Sequence, residues 1–160
     1  MTNFLIAFEA TEEPIEGLAL ALGLGAVQRG GNIRLRHLSP PESASLAHQG
    51  YGRLKAADLD WADCLVVGVE TSEPNEDLET MLRVVREFPD GAALGRKIGF
   101  VFCFTVDGEG SGAVSFVREG LASAGLPLLA DESGGELTPE RFMLVGNRFA
   151  EMGSIQDSQS

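Results

Sequence analysis

Short apolar runs alternate along the chain with longer stretches in which apolar residues recur at helical spacing. The runs at 4–8, 64–69 and 97–105 are dominated by apolar residues, as expected of parallel strands that are buried on both faces. Residues 32–38 alternate apolar and polar positions instead, which predicts an edge strand with one exposed face. A short last strand is predicted at 126–129.

Helical spacing predicts three helices between these strands and a fourth after the last strand. They are expected at 15–29, 76–88 and 113–124, with a last helix that opens at Thr138-Pro139. The segment that ends at Asp60 has the weakest pattern and is predicted to be a loop with a short helix near residues 54–57.

Strands that alternate with helices at this spacing indicate a parallel sheet covered by helices on both faces. The predicted fold is α/β, a three-layer doubly wound five-stranded parallel sheet with strand order 2-1-3-4-5. One domain is expected over residues 1–153, followed by a frayed polar tail at 154–160. In such sheets ligands bind beyond the carboxyl ends of the strands, here between the first and third.

Charge limits the classes of partner. The chain carries 24 acidic and 12 basic residues and a formal net charge of −12, which disfavours nucleic acid and anionic membrane surfaces. No run approaches the ~20 apolar residues of a membrane span.

The first residues run directly into an apolar strand without a targeting pattern, so a cytoplasmic location is expected. Cys64 and Cys103 lie within apolar runs and are expected to be reduced core residues.

Several segments, taken in order, resemble one family. They are the entry to the third strand at 61–68, the lead-in at 94–97, the glycine-rich loop at 108–112 and the last helix at 145–151. Together they resemble flavodoxins and the FMN-dependent NAD(P)H:quinone reductases. The resemblance covers nearly the whole chain and implies a flavodoxin-like fold with FMN as the cofactor, if there is one.

The loop after the first strand departs from that family. The resemblance implies Ser or Thr where this chain has Ala10, a small residue where it has Glu13, and Thr where it has Ile15. Pro14 also removes a backbone donor, so Thr11 is the hydroxyl that remains. These departures predict a flavodoxin-like protein that has lost ordinary FMN binding and acts as an accessory or interaction module.

The alternative is an FMN-binding flavoprotein that acts in electron transfer or in NAD(P)H-dependent reduction of quinones or FMN. Whether the chain is an enzyme stays open, and no catalytic residue is assigned. If FMN binds, the residues expected nearest to it are Thr11, Thr71, Ser72, Gly108 and Gly110.

Acidic residues rim the same loops and allow three interpretations. Glu70, Glu73, Asp107 and Glu109 could form a solvated loop face or a docking surface for a basic protein. The third interpretation is a divalent-metal site that includes Ser111, although the spacing of an EF-hand is absent. The family resemblance also implies a possible homo-oligomer.

The two histidines and the single tryptophan also carry predictions. His37 and His48 lie in no catalytic context, and both are expected at the surface. Trp61 is expected to pack at the start of the third strand.

Overall fold

The computed structural model describes residues 2–9, 13–38, 52–69, 73–103, 112–129, 140, 143–148 and 150. Within them the strands are β1 (Asn3–Phe8), β2 (Asn32–His37), β3 (Gly52–Arg53), β4 (Cys64–Val69) and β5 (Ile98–Cys103). The helices are α1 (Glu13–Gln28), α2 (Ala56–Trp61), α3 (Glu76–Arg86), α4 (Gly91–Gly95) and α5 (Gly112–Ser123). Residues 140, 143–148 and 150 are also helical, and residues 143–148 are called the C-terminal helical segment below.

The strands form one parallel sheet in the order β3-β2-β1-β4-β5. The order of the first four predicted strands, 2-1-3-4, is therefore confirmed as β2-β1-β4-β5. For the predicted fifth strand the described residues give a single parallel bridge, between Leu128 and Gly99 of β5, so the complete strand stays a prediction.

The segment before β4 differs from its prediction. The short helix expected near residues 54–57 lies at Ala56–Trp61 instead, and the two-residue β3 precedes it where a loop was expected. β3 pairs with the carboxyl end of β2, through Arg36 with Gly52 and His37 with Arg53. Such a short strand depends on its neighbour rather than on a pattern of its own.

Apolar side chains of the central strands alternate between two hydrophobic clusters. Phe4, Ile6 and Phe8 of β1 pack on one face of the sheet with α1 and the C-terminal helical segment. Leu5 and Ala7 pack on the opposite face with α2, α3 and α5. The sheet is therefore the middle layer of three, as predicted.

α1 and the C-terminal helical segment pack with almost no space between them. A Cβ atom on Gly25 would lie 1.9 Å from the carbonyl oxygen of Met143, and one on Gly146 would lie 2.0 Å from that of Leu22. Asn147 crosses the contact and donates to the Gly25 carbonyl at 2.7 Å. Only glycine permits this distance between the backbones.

Glycine follows the end of two helices. Gly30 follows α1 with φ of +86°, and Gly125 follows α5 with φ of +99°. Side chains rarely adopt these backbone angles, so glycine ends each helix and turns the chain toward the next strand. No helix among the described ranges is long and apolar enough to cross a membrane.

Candidate functional site

The topology places a crevice where β1 and β4 end. β1 lies between β2 and β4, and the chain continues from these strands to opposite faces of the sheet, through α1 on one face and α3 on the other. This reversal is the switch point at which open α/β sheets bind ligands.

Backbone hydrogen bonds hold the end of β1 firmly. Glu9 N–H donates to the carbonyl of Gly68 at 3.1 Å, and the carbonyl of Phe8 accepts from Leu38 N–H at 2.8 Å. The first residue after β1 is thereby fixed between its two neighbouring strands.

Glu9 places a carboxylate at this point. Its residue is 1% exposed, and Asn75 Nδ2 donates to its Oε2 at 3.0 Å. Asn75 Oδ1 in turn accepts from Leu78 N–H at 2.9 Å and caps the start of α3. One amide therefore supports both the carboxylate and the helix that leaves β4.

The start of α1 lies on the other side of this crevice. A helix N-terminus has unpaired N–H groups and partial positive charge, which suit a phosphate group. Here α1 begins at Glu13, and its first turn contains Glu13, Pro14 and Glu16. The proline lacks one of the N–H donors that a helix start otherwise offers.

These residues do not fit the phosphate of FMN. The start of α1 carries two acids and a proline, and the buried carboxylate of Glu9 lies at the end of the strand that leads to it. A dianion at this place would meet the buried carboxylate of Glu9, and the start of α1 offers one backbone donor fewer to hold it.

The residues predicted to lie nearest to FMN, Thr11, Thr71, Ser72, Gly108 and Gly110, fall outside the described residues. The same holds for Ala10, His48 and three members of the acidic rim, Glu70, Asp107 and Glu109. Glu73, the fourth member, is exposed.

Glu9 and Asn75 are site residues that sequence reasoning missed. An Asn immediately before an amphipathic helix is a recognised capping signal, so the role of Asn75 at α3 was available from sequence. No local signal distinguishes Glu9 from the other acids of its turn, because its partner lies 66 residues away.

The prediction for His37 is wrong. Its residue, the last of β2, is only 8% exposed. A groove of about 230 Å³ lies between this end of β2 and α3, and its lining consists of His37, Leu38, Leu54, Asp77, Thr80, Met81 and Val84.

A partly buried ion cluster lies on the α2 side of the sheet. Asp58 accepts from Arg34 Nη1 and Arg36 Nε, each at 3.1 Å, and from Lys55 N–H at 2.9 Å. Burial raises the pKa of Asp58, but the hydrogen bonds from Lys55, Arg36 and Arg34 outweigh it, so the pKa lies below the ordinary 3.8.

The side chain of Trp61 completes this cluster. Its ring is half-buried against the core on the α2 side of the sheet, and the Arg34 guanidinium carbon lies 4.3 Å from the ring centroid. Trp61 is the last residue of α2, three positions before β4 begins, which agrees with its predicted packing. Cys64, at the start of β4, is buried, as expected of a core residue.

Metal ligands do not cluster in the part of the chain that the structure describes. No group of three or more His, Cys, Asp or Glu residues there could hold a metal ion.

Comparison with known proteins gives matches in structure alone. No family model matches the chain, and no curated protein matches it. Oxidised flavodoxin 2 from Bacillus cereus superposes with a TM-score of 0.69 and 19% identity, covering 94% of this chain and 99% of that one. A flavodoxin from the domain Archaea gives 0.65 and 15%, covering 94% and 98%.

A third solved structure, a diflavin flavoprotein from Nostoc sp., superposes with a TM-score of 0.62 and 11% identity over 99% of this chain and 97% of that chain. Identities this low establish the architecture and leave the site to be argued from its own residues. The chain is a protein of the flavodoxin-like fold.

Proposed function

We propose that this chain is a flavodoxin-like protein that has lost ordinary FMN binding and acts as an accessory or interaction module. The observation that carries the proposal is the carboxylate of Glu9, 1% exposed and hydrogen-bonded to Asn75 at the end of β1. The residues of the following loop support it, because Ala10 and Ile15 stand where the resembled family has hydroxyls.

Electrostatics gives the size of the effect. Two unit charges ~7 Å apart repel by about 2 kcal/mol at an effective dielectric constant near 20. A phosphate dianion would double that value, and every ~1.4 kcal/mol lowers affinity tenfold. A carboxylate at that distance would therefore weaken binding by roughly a hundredfold or more, before the missing hydroxyls are considered.

The experiment that tests the proposal is a visible absorption spectrum of the purified protein, followed by a fluorescence titration with FMN. The proposal expects a colourless protein and no saturable quenching of flavin fluorescence at micromolar FMN. A yellow protein, or quenching that saturates at or below micromolar FMN, would overturn it.

The second candidate function is an FMN-binding flavoprotein in electron transfer or NAD(P)H-dependent reduction of quinones or FMN. Sheet topology favours it, since the crevice lies at the same switch point as in doubly wound folds that bind FMN. Structures with this topology include proteins named flavodoxin and diflavin flavoprotein. Thr11, Thr71, Ser72, Gly108 and Gly110 would then lie nearest the flavin, and quinone reduction is the assay that follows a positive titration.

An interaction module needs a partner, and the acidic loops suggest a basic protein in the cytoplasm. The described part of this rim contains exposed Glu73 beside the acidic first turn of α3, with Glu76, Asp77 and Glu79. Binding of this kind weakens steeply as salt rises. Loss of binding when Glu73 and Glu76 are changed to Gln would support this partner class.

A further inference from the structure

α1 presents an apolar face to solvent, on the side away from the sheet. Leu20, Leu24 and Val27 are 40%, 53% and 47% exposed, and their spacing places them on one side of the helix. Residues 17–28 contain no charged residue. A helix that is apolar on all sides normally has both sides covered.

The C-terminal helical segment extends this face. Leu144 is 66% exposed and follows Met143, whose carbonyl lies against Gly25 at the helix crossing. Leu24 precedes Gly25 and Leu144 follows Met143, so both leucines lie next to this helix crossing in the chain. Exposed apolar side chains on two adjoining helices of a charged protein suggest an interaction surface.

We propose that this face, called the α1 face, is the contact between two copies of this chain in a two-fold symmetric dimer. A symmetric contact uses the same patch twice and must be self-complementary. The proposal concerns the surface opposite α3 and is independent of whether FMN binds.

Charge at the two ends of the α1 face supports a second copy as the occupant. The start of α1 contains Glu13 and Glu16, and Arg29 follows its end. Asn147 hydrogen-bonds to Arg29 and to Gln28, which places the next residue, exposed Arg148, at that same basic end. Two α1 helices that pack antiparallel bring the basic end of each to the acidic end of the other.

The net charge of −12 would oppose self-association at most other surfaces. The acidic first turn of α3, with Glu76, Asp77 and Glu79, lies across the sheet from α1. That distance exceeds the Debye length of about 8 Å at physiological salt. An interface on the α1 face therefore keeps these acids of the two copies apart.

The size of the face suits a reversible dimer. α1 is ~24 Å long, and helices in contact lie ~8–10 Å apart, so α1 and its neighbour present roughly 24 by 20 Å. The resulting area of roughly 480 Å² is well below the ~800 Å² per partner of a standard interface and falls in the range of weak, transient contacts. We therefore expect a dissociation constant in the micromolar range.

The test is sedimentation velocity of the full chain from low micromolar to submillimolar concentration. Wild-type protein is expected to shift from monomer to dimer across this range. Leu24→Glu is expected to raise the dissociation constant by about a hundredfold, because symmetry places the added charge in the interface twice at roughly tenfold each.

The control is Ala122→Glu, which adds the same charge at an exposed position of α5 and is expected to leave the dimer unchanged. Leu144→Glu provides a second variant on the same face, and circular dichroism melts verify that each variant is folded. A wild-type monomer at every concentration would overturn the proposal and leave the face to a different protein. Equal weakening by Ala122→Glu, or no weakening by both leucine variants, would also overturn it.

Discussion

Asn75 and Glu9 are joined by a 3.0 Å hydrogen bond between the side-chain amide and the carboxylate. The same Asn75 side chain accepts from Leu78 N–H, so a single residue links the end of β1 to the start of α3. Polar groups of the chain itself therefore pair with one another at this point of the crevice.

Replacing Asn75 with Ala is expected to lower the free energy of unfolding by about 2.5–4 kcal/mol. Loss of a helix cap costs ~1 kcal/mol, and loss of a hydrogen bond to a charged group costs roughly 1.5–3 kcal/mol. Urea denaturation measures the difference. Asn75→Ser retains a capping oxygen and should recover about 1 kcal/mol; a Ser variant as unstable as the Ala variant would show that the cap contributes little.

Removing negative charge from the crevice is expected to raise FMN affinity. Glu9→Gln keeps an oxygen that accepts from Asn75 and should strengthen binding by at least tenfold if the buried charge repels phosphate. The triple change of Ala10 to Ser, Glu13 to Gly and Ile15 to Thr tests the lost phosphate contacts separately.

Fluorescence titration with FMN measures all of these variants beside the wild type. Suppose that Glu9→Gln and the triple change each raise FMN affinity, and that the two free-energy changes add in a protein that carries both. The buried charge and the missing hydroxyls would then act independently. If neither set improves affinity, then neither the buried charge nor the missing hydroxyls account for a loss of FMN binding.

The central strands were predictable because they are buried on both faces, and continuous apolar runs are the signature of that environment. β3 and α4 were not, since elements of two and five residues carry too few positions for a periodic pattern. β3 exists because β2 offers it hydrogen bonds at Arg36 and His37.

The site was predictable in position and unpredictable in content. Topology locates the crevice between β1 and β4, and this follows from the alternation of strands and helices. Glu9 accepts a hydrogen bond from Asn75, the cap of α3, and His37 lines a groove with residues of the same helix. Such long-range contacts leave no mark in the local pattern.

The cluster around Asp58 predicts how stability depends on pH. The pKa of Asp58 is lowered in the folded protein, so its ionised form stabilises the fold above the unfolded value of ~3.9. This contribution is lost as pH falls through the lower folded pKa. At pH 7, Asp58→Asn should cost about 2–3 kcal/mol, less than a fully buried pair because both arginines are partly exposed.

Denaturation at pH 7 and at successive values below 4 measures this effect. The difference between wild type and Asp58→Asn should shrink as the pH falls. Asp60→Asn changes an exposed carboxylate on the same helix and is the matched control, with an expected effect within ~0.5 kcal/mol. A difference for Asp58→Asn that stays constant down to low pH would contradict the assigned pKa direction.

Two glycines of α1 should respond in opposite directions to the same change. Gly25→Ala places a methyl group 1.9 Å from the Met143 carbonyl oxygen, and backbone cannot yield as a flexible side chain can. We expect it to destabilise the protein by about 2 kcal/mol or more, because α1 and the C-terminal helical segment must separate. At Gly17 nothing lies within 4 Å of an added Cβ, so Gly17→Ala should stabilise by roughly 0.5–1 kcal/mol through helix propensity. Thermal and urea denaturation of both variants compare the two effects within one helix. No loss of stability at Gly25 would show that the close helix contact is not maintained in solution, and a loss at Gly17 would show that helix propensity does not decide the effect there.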